Sequence, residues 1–368
     1  MNFPLKSAPH VRAKRTNSNI IFDVILAALF VALWAIYNRF AVFGVGAAVH
    51  IVLMIITGTT AGTFAHFIFD FAMAKLEKKP FDSAPFKKRF KNGETVVTGL
   101  ILAIAMQPGA HLYVVAINAI FAEIFGKLIY GGYGQNIFNP VAVGLIFNAL
   151  TFGGTVLFAP WIPNAVVTTG PTPLVALNAA GWNMTPTDIY YYFNELGGAL
   201  RMFLGMVRGS VGETSRLALT IALIYMVYKK AADWVIPVFY IGSIFVMTAI
   251  YGAIIGAGAW YPFVHLLTGG IFLGGVFLAT DPVTTPITRQ GRAIFGILLA
   301  FFTLMIRFNS GHAEGVAFSI LIMNILVAII DSKTGGITSA NIGKKHTSIA
   351  ITFAASTAIL ILFTIFVP

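Results

Sequence analysis

Polar side chains are scarce in this chain, so the places where they gather stand out. Four stretches combine hydrogen-bonding groups with Gly or Pro: residues 131–140 (GGYGQNIFNP), 279–288 (ATDPVTTPIT), 307–315 (RFNSGHAEG) and 168–174 (TTGPTPL). Gln135, Asn136 and Asn139 of the first, with Asp281 and Thr284 of the second, offer amides, a carboxylate and a hydroxyl that can hydrogen-bond a polar ring or line the path of a cation. A capped turn between helices would use the same residue types. In the fourth, Gly170, Pro171 and Pro173 fix an exposed turn that leaves the Thr172 hydroxyl accessible, as a modifying enzyme requires of its acceptor; an ordinary loop has the same composition. Glu123 and Lys127 have the acid-first, i,i+4 spacing of a helical ion pair. Asp23 and Asp70 fall near the ends of apolar runs, and His66 and His265 read as isolated packing histidines. No His/carboxylate cluster has metal-ligand spacing, and there is no P-loop, dinucleotide fingerprint or serine-nucleophile motif. Cysteine is absent, which excludes disulfides, thiolate zinc sites, iron–sulfur clusters held by this chain and a cysteine nucleophile. Electron chemistry would need a different cofactor.

The elements that must position these groups are membrane helices. The 368 residues are 58% hydrophobic and 10% charged, against about 25% charged in soluble domains, and the mean hydropathy is +0.84. A bilayer crossing needs about 20 mostly apolar residues. Eleven segments approach that pattern: 20–43, 44–69, 95–107, 111–130, 140–158, 217–228, 234–258, 262–280, 293–308, 315–330 and 348–366. The first is longer than a signal-peptide core and lacks a small-residue cleavage site, so it reads as a retained span.

The net charge of +11 follows the topology. With the N-terminus cytoplasmic, Lys75, Lys78, Lys79, Lys87, Lys88, Arg89, Lys91, Lys229, Lys230, Arg289, Arg292, Lys333, Lys344 and Lys345 all fall on the inner side, as the positive-inside rule requires. Arg201, Arg208, Arg216 and Arg307 are left to the outer side. The basic balance therefore reports orientation, and no nucleic-acid partner is expected.

The second half of the chain echoes the first. Thr98-Gly99-Leu100-Ile101-Leu102 resembles Thr268-Gly269-Gly270-Ile271-Phe272, and Pro140-Val141-Ala142-Val143 before Asn148 resembles Gly315-Val316-Ala317-Phe318 before Asn324. An offset of about five spans turns the second copy upside down, which gives an all-α polytopic fold of two inverted five-helix repeats plus an extra C-terminal helix. The expected organisation is a cytoplasmic arm (1–19), a first repeat (20–158), an outer segment (159–215), a second repeat (216–331), and a basic loop with the last helix (332–368). The outer segment is long, and long ordered connections are often functional. Its Trp161, Trp182 and the aromatic run Tyr190 to Phe193 suit the membrane interface.

Taken in order, Ser7-Ala8-Pro9-His10-Val11-Arg12, Gly134-Gln135-Asn136-Ile137-Phe138-Asn139-Pro140, Ala279-Thr280-Asp281-Pro282-Val283-Thr284 and Glu314-Gly315-Val316-Ala317-Phe318 with Met323-Asn324 resemble the family shared by the RnfD component of the Rnf ion-translocating electron-transport complex and the NqrB component of the sodium-pumping NADH:quinone oxidoreductase. The resemblance runs through Asp331, and the short N-terminal arm favours the Rnf branch. It implies a prokaryotic inner-membrane flavoprotein that relays electrons between ferredoxin and NAD-linked partners, is not catalytic alone, and helps move Na⁺ or H⁺. The implied partners are the A, B, C, E and G components of the Rnf complex, the bilayer, and a flavin-transferase. FMN is implied as a phosphoester on Thr172, within Thr169-Gly170-Pro171-Thr172, where the family has Ser-Gly-Ala-Thr; Pro171 and, three residues before Thr169, Val166 depart from the family pattern. A second, noncovalent flavin, riboflavin, is also implied. A five-plus-five inverted-repeat channel for a small polar solute, with no redox cofactor, is the reading from a different class; a purely structural scaffold would leave the interrupted stretches unexplained.

Overall fold

The computed structural model describes residues 15–156, 182, 185–187, 190, 198–205, 209–310, 314–335 and 342–366. Among them every regular element is helical. The first half consists of α1 (Asn17–Phe43), α2 (Val45–Leu76), the short surface helix α3 (Ala84–Lys91), α4 (Val97–Ala105), α5 (Leu112–Gly126) and α6 (Pro140–Val156). After α7 (Gly198–Leu204), the second half brings α8 (Arg216–Tyr228), α9 (Val235–Ile254), α10 (Tyr261–Leu267), α11 (Ile271–Leu273) running into a π-helical turn (Gly274–Leu278), α12 (Arg289–Asn309) and α13 (Val316–Thr334). The last helix is α14 (Ile342–Phe366).

Among the described residues seven helices are long and apolar enough to cross a bilayer, and the pair Tyr261–Leu267 and Ile271–Leu278, bent by 63°, makes an eighth if it is one broken span, which gives a multi-pass membrane fold. Pro140–Phe152 and Arg216–Tyr228 are shorter apolar helices. The run 95–107 forms only Val97–Ala105, about 13 Å at 1.5 Å per residue, less than half of a hydrocarbon core about 30 Å thick. It is a half-helix, ending where the backbone N–H groups of Val211 and Gly212 donate to Met106 and Ile104 carbonyls at 3.0 and 2.6 Å. Non-helical backbone deep in a bundle is stable only when protein satisfies it, and these two bonds do so.

α2 lies on α5 and α5 on α6 in the first half; α9 lies on α12 and α12 on α13 in the second, while α1 meets α8 and α6 meets α13 between the halves. α4 and the α11–π segment are short elements; Thr98-Gly99 lies in the first turn of α4, and Thr268-Gly269 just ahead of α11. At the first, a Cβ on Gly99 would lie 2.2 Å from the Gly58 carbonyl oxygen, so glycine is what lets α4 touch α2 backbone to backbone.

The lower end of the bundle, as defined by α3, collects the chain's basic turns. There Arg15 pairs with Asp23, which accepts from the Tyr225 hydroxyl at 2.9 Å and so ties α1 to α8. Arg292 pairs with Asp233, and the Ile287 backbone donates to Asp331 at 3.0 Å.

Candidate functional site

Two of the interrupted stretches converge at this basic end. The turn after α5 and the turn after the π segment, together with α1, α4 and the end of α8, line an open pocket of about 680 Å³ including the solvent at its mouth. Ile20, Val24, Val97, Ile101, Met226 and Phe277 supply apolar walls, and Thr98, Lys127, Tyr133, Asn136, Asn139 and Asp281 the polar points.

Each polar point is set by a local rule. Asn139 caps α6: its Oδ1 accepts from the backbone of Val141 and Ala142 at 3.0 and 3.1 Å. Its Nδ2 donates to Leu278 O at 3.1 Å, and its own N–H donates to Asn324 Oδ1 at 2.9 Å, which links the two halves. Asn324 in turn donates to Thr284 O at 3.1 Å. Asn136 Nδ2 donates to Phe138 O at 3.0 Å, holding the glycine-rich turn in place. Gly131 and Gly132, at φ 110° and 98°, bend that turn as only glycine does without strain. Asp281 caps its own turn, accepting from Val283 N at 3.3 Å and from the Thr284 hydroxyl at 3.2 Å. Desolvation raises its carboxyl above the usual range, while those two bonds and the Lys127 charge pull the other way.

Of the residues expected from sequence, Asn136, Asn139 and Asp281 therefore meet at one pocket. Thr284 stands behind Asp281, buried, and Gln135 is exposed beside Gly131 rather than on the wall. Thr169, Gly170, Pro171 and Thr172 lie outside the described residues.

Lys127 has the most charged surroundings on the wall. Its Nζ lies 2.5 Å from Glu123 Oε1 and donates to Glu94 O at 2.7 Å and Thr98 Oγ1 at 3.4 Å. The i,i+4 pair anticipated in the sequence is present and fully buried. His66 is not isolated: its Nδ1 is 3.0 Å from Glu123 Oε1 and its Nε2 is 3.1 Å from Arg89 Nη1, which also donates to both Asp70 oxygens at 2.9 Å. The His66–Asp70 spacing was visible as i,i+4, but Glu123 is 57 residues away and no local pattern joins them.

The opposite end carries a second buried group. Arg307 donates to His265 O at 3.1 Å, Thr268 O at 3.4 Å and Glu314 Oε1 at 3.3 Å, and the other Glu314 oxygen accepts from Gly270 N at 2.8 Å. Arg216 donates to Thr214 O at 2.7 Å and reaches Gly269 O at 3.5 Å. The break between α10 and α11 is thus held by side chains. His265, read from sequence as a packing residue, is stacked at 5.1 Å on Trp182 and flanked edge-on by Tyr261 and Phe308, so it anchors part of the long outer segment.

Known proteins resemble this chain over nearly its whole length. The model of the NQR2, RnfD, RnfE family matches residues 4–337. The D component of the proton-translocating ferredoxin:NAD(+) oxidoreductase complex of Clostridium ljungdahlii is 34% identical over 337 residues, covering 90% of this chain and 94% of that protein. The D component of the Na(+)-translocating ferredoxin:NAD(+) oxidoreductase complex of Acetobacterium woodii is 31% identical, covering 91% and 94%. The D component of the ion-translocating oxidoreductase complex of Citrobacter koseri is 30% identical, covering 91% and 98%. With a family model spanning nearly the whole chain and relatives matched almost end to end, this protein belongs to the NQR2, RnfD, RnfE family.

Proposed function

We propose that this chain is the membrane flavoprotein subunit of an ion-translocating ferredoxin:NAD⁺ oxidoreductase complex, relaying electrons between ferredoxin-linked and NAD-linked partners and coupling that flow to Na⁺ or H⁺ movement. In this reading it sits in a prokaryotic inner membrane with its N-terminus cytoplasmic, the two halves are inverted repeats, and it works with the other Rnf subunits. The observation that carries the proposal is the convergence of the two interrupted stretches on one pocket with apolar walls, a buried ammonium and two amides.

That donor set fits a noncovalent flavin, riboflavin. Its ring is flat and apolar on both faces with polar atoms along one edge, and a site of this type holds the faces with aliphatic side chains and the edge with a few oriented donors. Ile101, Val24 and Phe277 would pack on the ring and Asn136 and Asn139 would meet its edge, with Lys127, already bonded to Glu123, Glu94 O and Thr98, on the wall beside it. When bound, a flavin supplies one- and two-electron transfer to a chain that has no cysteine. The apolar walls would limit the access of water to the ring. FMN on Thr172 would provide the second centre, attached by a flavin-transferase, with the Trp182 anchor fixing the chain ten residues beyond it.

Expression with an active flavin-transferase, followed by a denaturing gel under ultraviolet light, tests the covalent part: a fluorescent band is expected from wild type and none from Thr172→Ala. Solvent extraction of the Thr172→Ala complex tests the pocket, with riboflavin expected in the extract. A wild-type band without fluorescence and an extract without flavin would favour the solute channel.

A further inference from the structure

We infer that His66, Glu123 and Lys127 form a proton relay to the pocket from the basic surface of the bundle, where Asp70 and Arg89 lie. The inference rests on the reading of that pocket as the site of a redox group that gains protons with electrons, and it adds the route those protons take.

The geometry sets the direction of every hydrogen in the chain. A guanidinium has donors and no acceptor, so Arg89 at 3.1 Å must donate to a lone pair on His66 Nε2. The imidazole proton is then on Nδ1, 3.0 Å from Glu123 Oε1, pointing inward. The same Glu123 oxygen lies 2.5 Å from Lys127 Nζ, which lines the pocket. The second oxygen, Glu123 Oε2, is buried with no hydrogen-bond partner among the described residues. At the surface, Asp70 Oδ2 is 3.8 Å from His66 Nε2, and Arg89 lies between them on α3 with its side chain 37% exposed. Displacing Arg89 lets Asp70 or water reach Nε2. Of the other charged groups nearby, Asp281 lines the same pocket and feels the Lys127 charge, and Glu94 meets Lys127 through its carbonyl and turns its carboxylate to Asn92.

One transfer then balances as follows. With Arg89 swung aside, His66 Nε2 takes a proton from the surface and the imidazolium passes its Nδ1 proton to the Glu123 carboxylate; once Lys127 has released a proton to the pocket, Glu123 hands that proton on to Lys127, and a flip of the imidazole ring restores the Nδ1–H tautomer. Only N–H and O–H bonds change, and one proton has moved from water to the pocket. A static ion pair would need neither the histidine nor an unused carboxylate oxygen.

The test uses the purified complex with its extractable flavin measured first. Flavin is reduced by a light-driven donor while a pH-indicator dye reports proton uptake. Glu123→Gln keeps the shape and can still accept from Lys127 and His66, but it holds no transferable proton. We expect flavin content and the extent of reduction to stay as in wild type, with proton uptake at least ten-fold slower. His66→Gln, which is farther from the pocket, should do the same and covers the case where Glu123→Gln does not fold; Glu123→Asp should recover part of the rate. Wild-type uptake in both flavin-loaded variants overturns the relay and leaves the pocket assignment standing. A wild-type complex with no extractable flavin overturns the pocket assignment and the relay with it.

Discussion

Each end of the bundle holds a long cation at the end of its helix, Lys127 after α5 and Arg307 in the last turn of α12, and each reaches back to the backbone just ahead of a half-helix. Lys127 donates to Glu94 O and Thr98 Oγ1; Arg307 donates to His265 O and Thr268 O. Each also pairs with a glutamate, Glu123 or Glu314. The differences lie in what surrounds the pair. Glu123 is sealed from solvent, whereas the Glu314 side chain is 39% exposed and is used up capping Gly270. The Arg307 end is a clasp for a broken helix. The Lys127 end faces the pocket and, through Glu123, a histidine.

Exchanging the cations for methionine tests this contrast most sharply. Lys127→Met strands the Glu123 charge in the core and should lower unfolding stability in detergent by about 3–5 kcal/mol, whereas Arg307→Met leaves a hydrated Glu314 and unpaired carbonyls and should cost about 1–3 kcal/mol. Adding Glu123→Leu to Lys127→Met should return most of the loss, and equal costs at the two ends would erase the distinction. The glycines of the two breaks should differ next. Gly99→Ala drives a methyl into the Gly58 backbone and should cost about 1–3 kcal/mol. At Gly270 the nearest atom is the tip of the Glu213 side chain at 3.0 Å, which can move aside, so Gly270→Ala should cost less in the same thermal unfolding assay. The smallest effect is expected at the link between halves: Asn139→Ala removes the α6 cap and its bond to Leu278 and should cost about 0.5–2 kcal/mol, with loss of extractable flavin as the second readout.

Patterns confined to a few turns were legible before any coordinates. The Glu123–Lys127 pair needed only helical spacing, and the turns at 131–140 and 279–288 needed only glycine and proline among apolar runs. The count of crossings was less secure, because hydropathy marks an apolar stretch without showing whether it ends halfway. The run 95–107 is as apolar as a span, and what stops it is the loop at Val211 and Gly212, over a hundred residues away. His66 illustrates the same limit. Its neighbours in sequence give no sign of Glu123, so it read as packing.

By itself the sequence determined that this protein is an all-helical membrane protein, which stretches break its helices, and the family to which it belongs, because membrane insertion, backbone φ and motif order are written in composition and local spacing. Only the tertiary structure decided that Asn136, Asn139 and Asp281 share one pocket with Lys127, and that His66 and Arg89 connect that pocket to the surface. Those groups come from helices far apart in the chain, and what places them together is the packing of α2, α4 and α5 and the contact between the two halves, which depends on the shape of every intervening side chain.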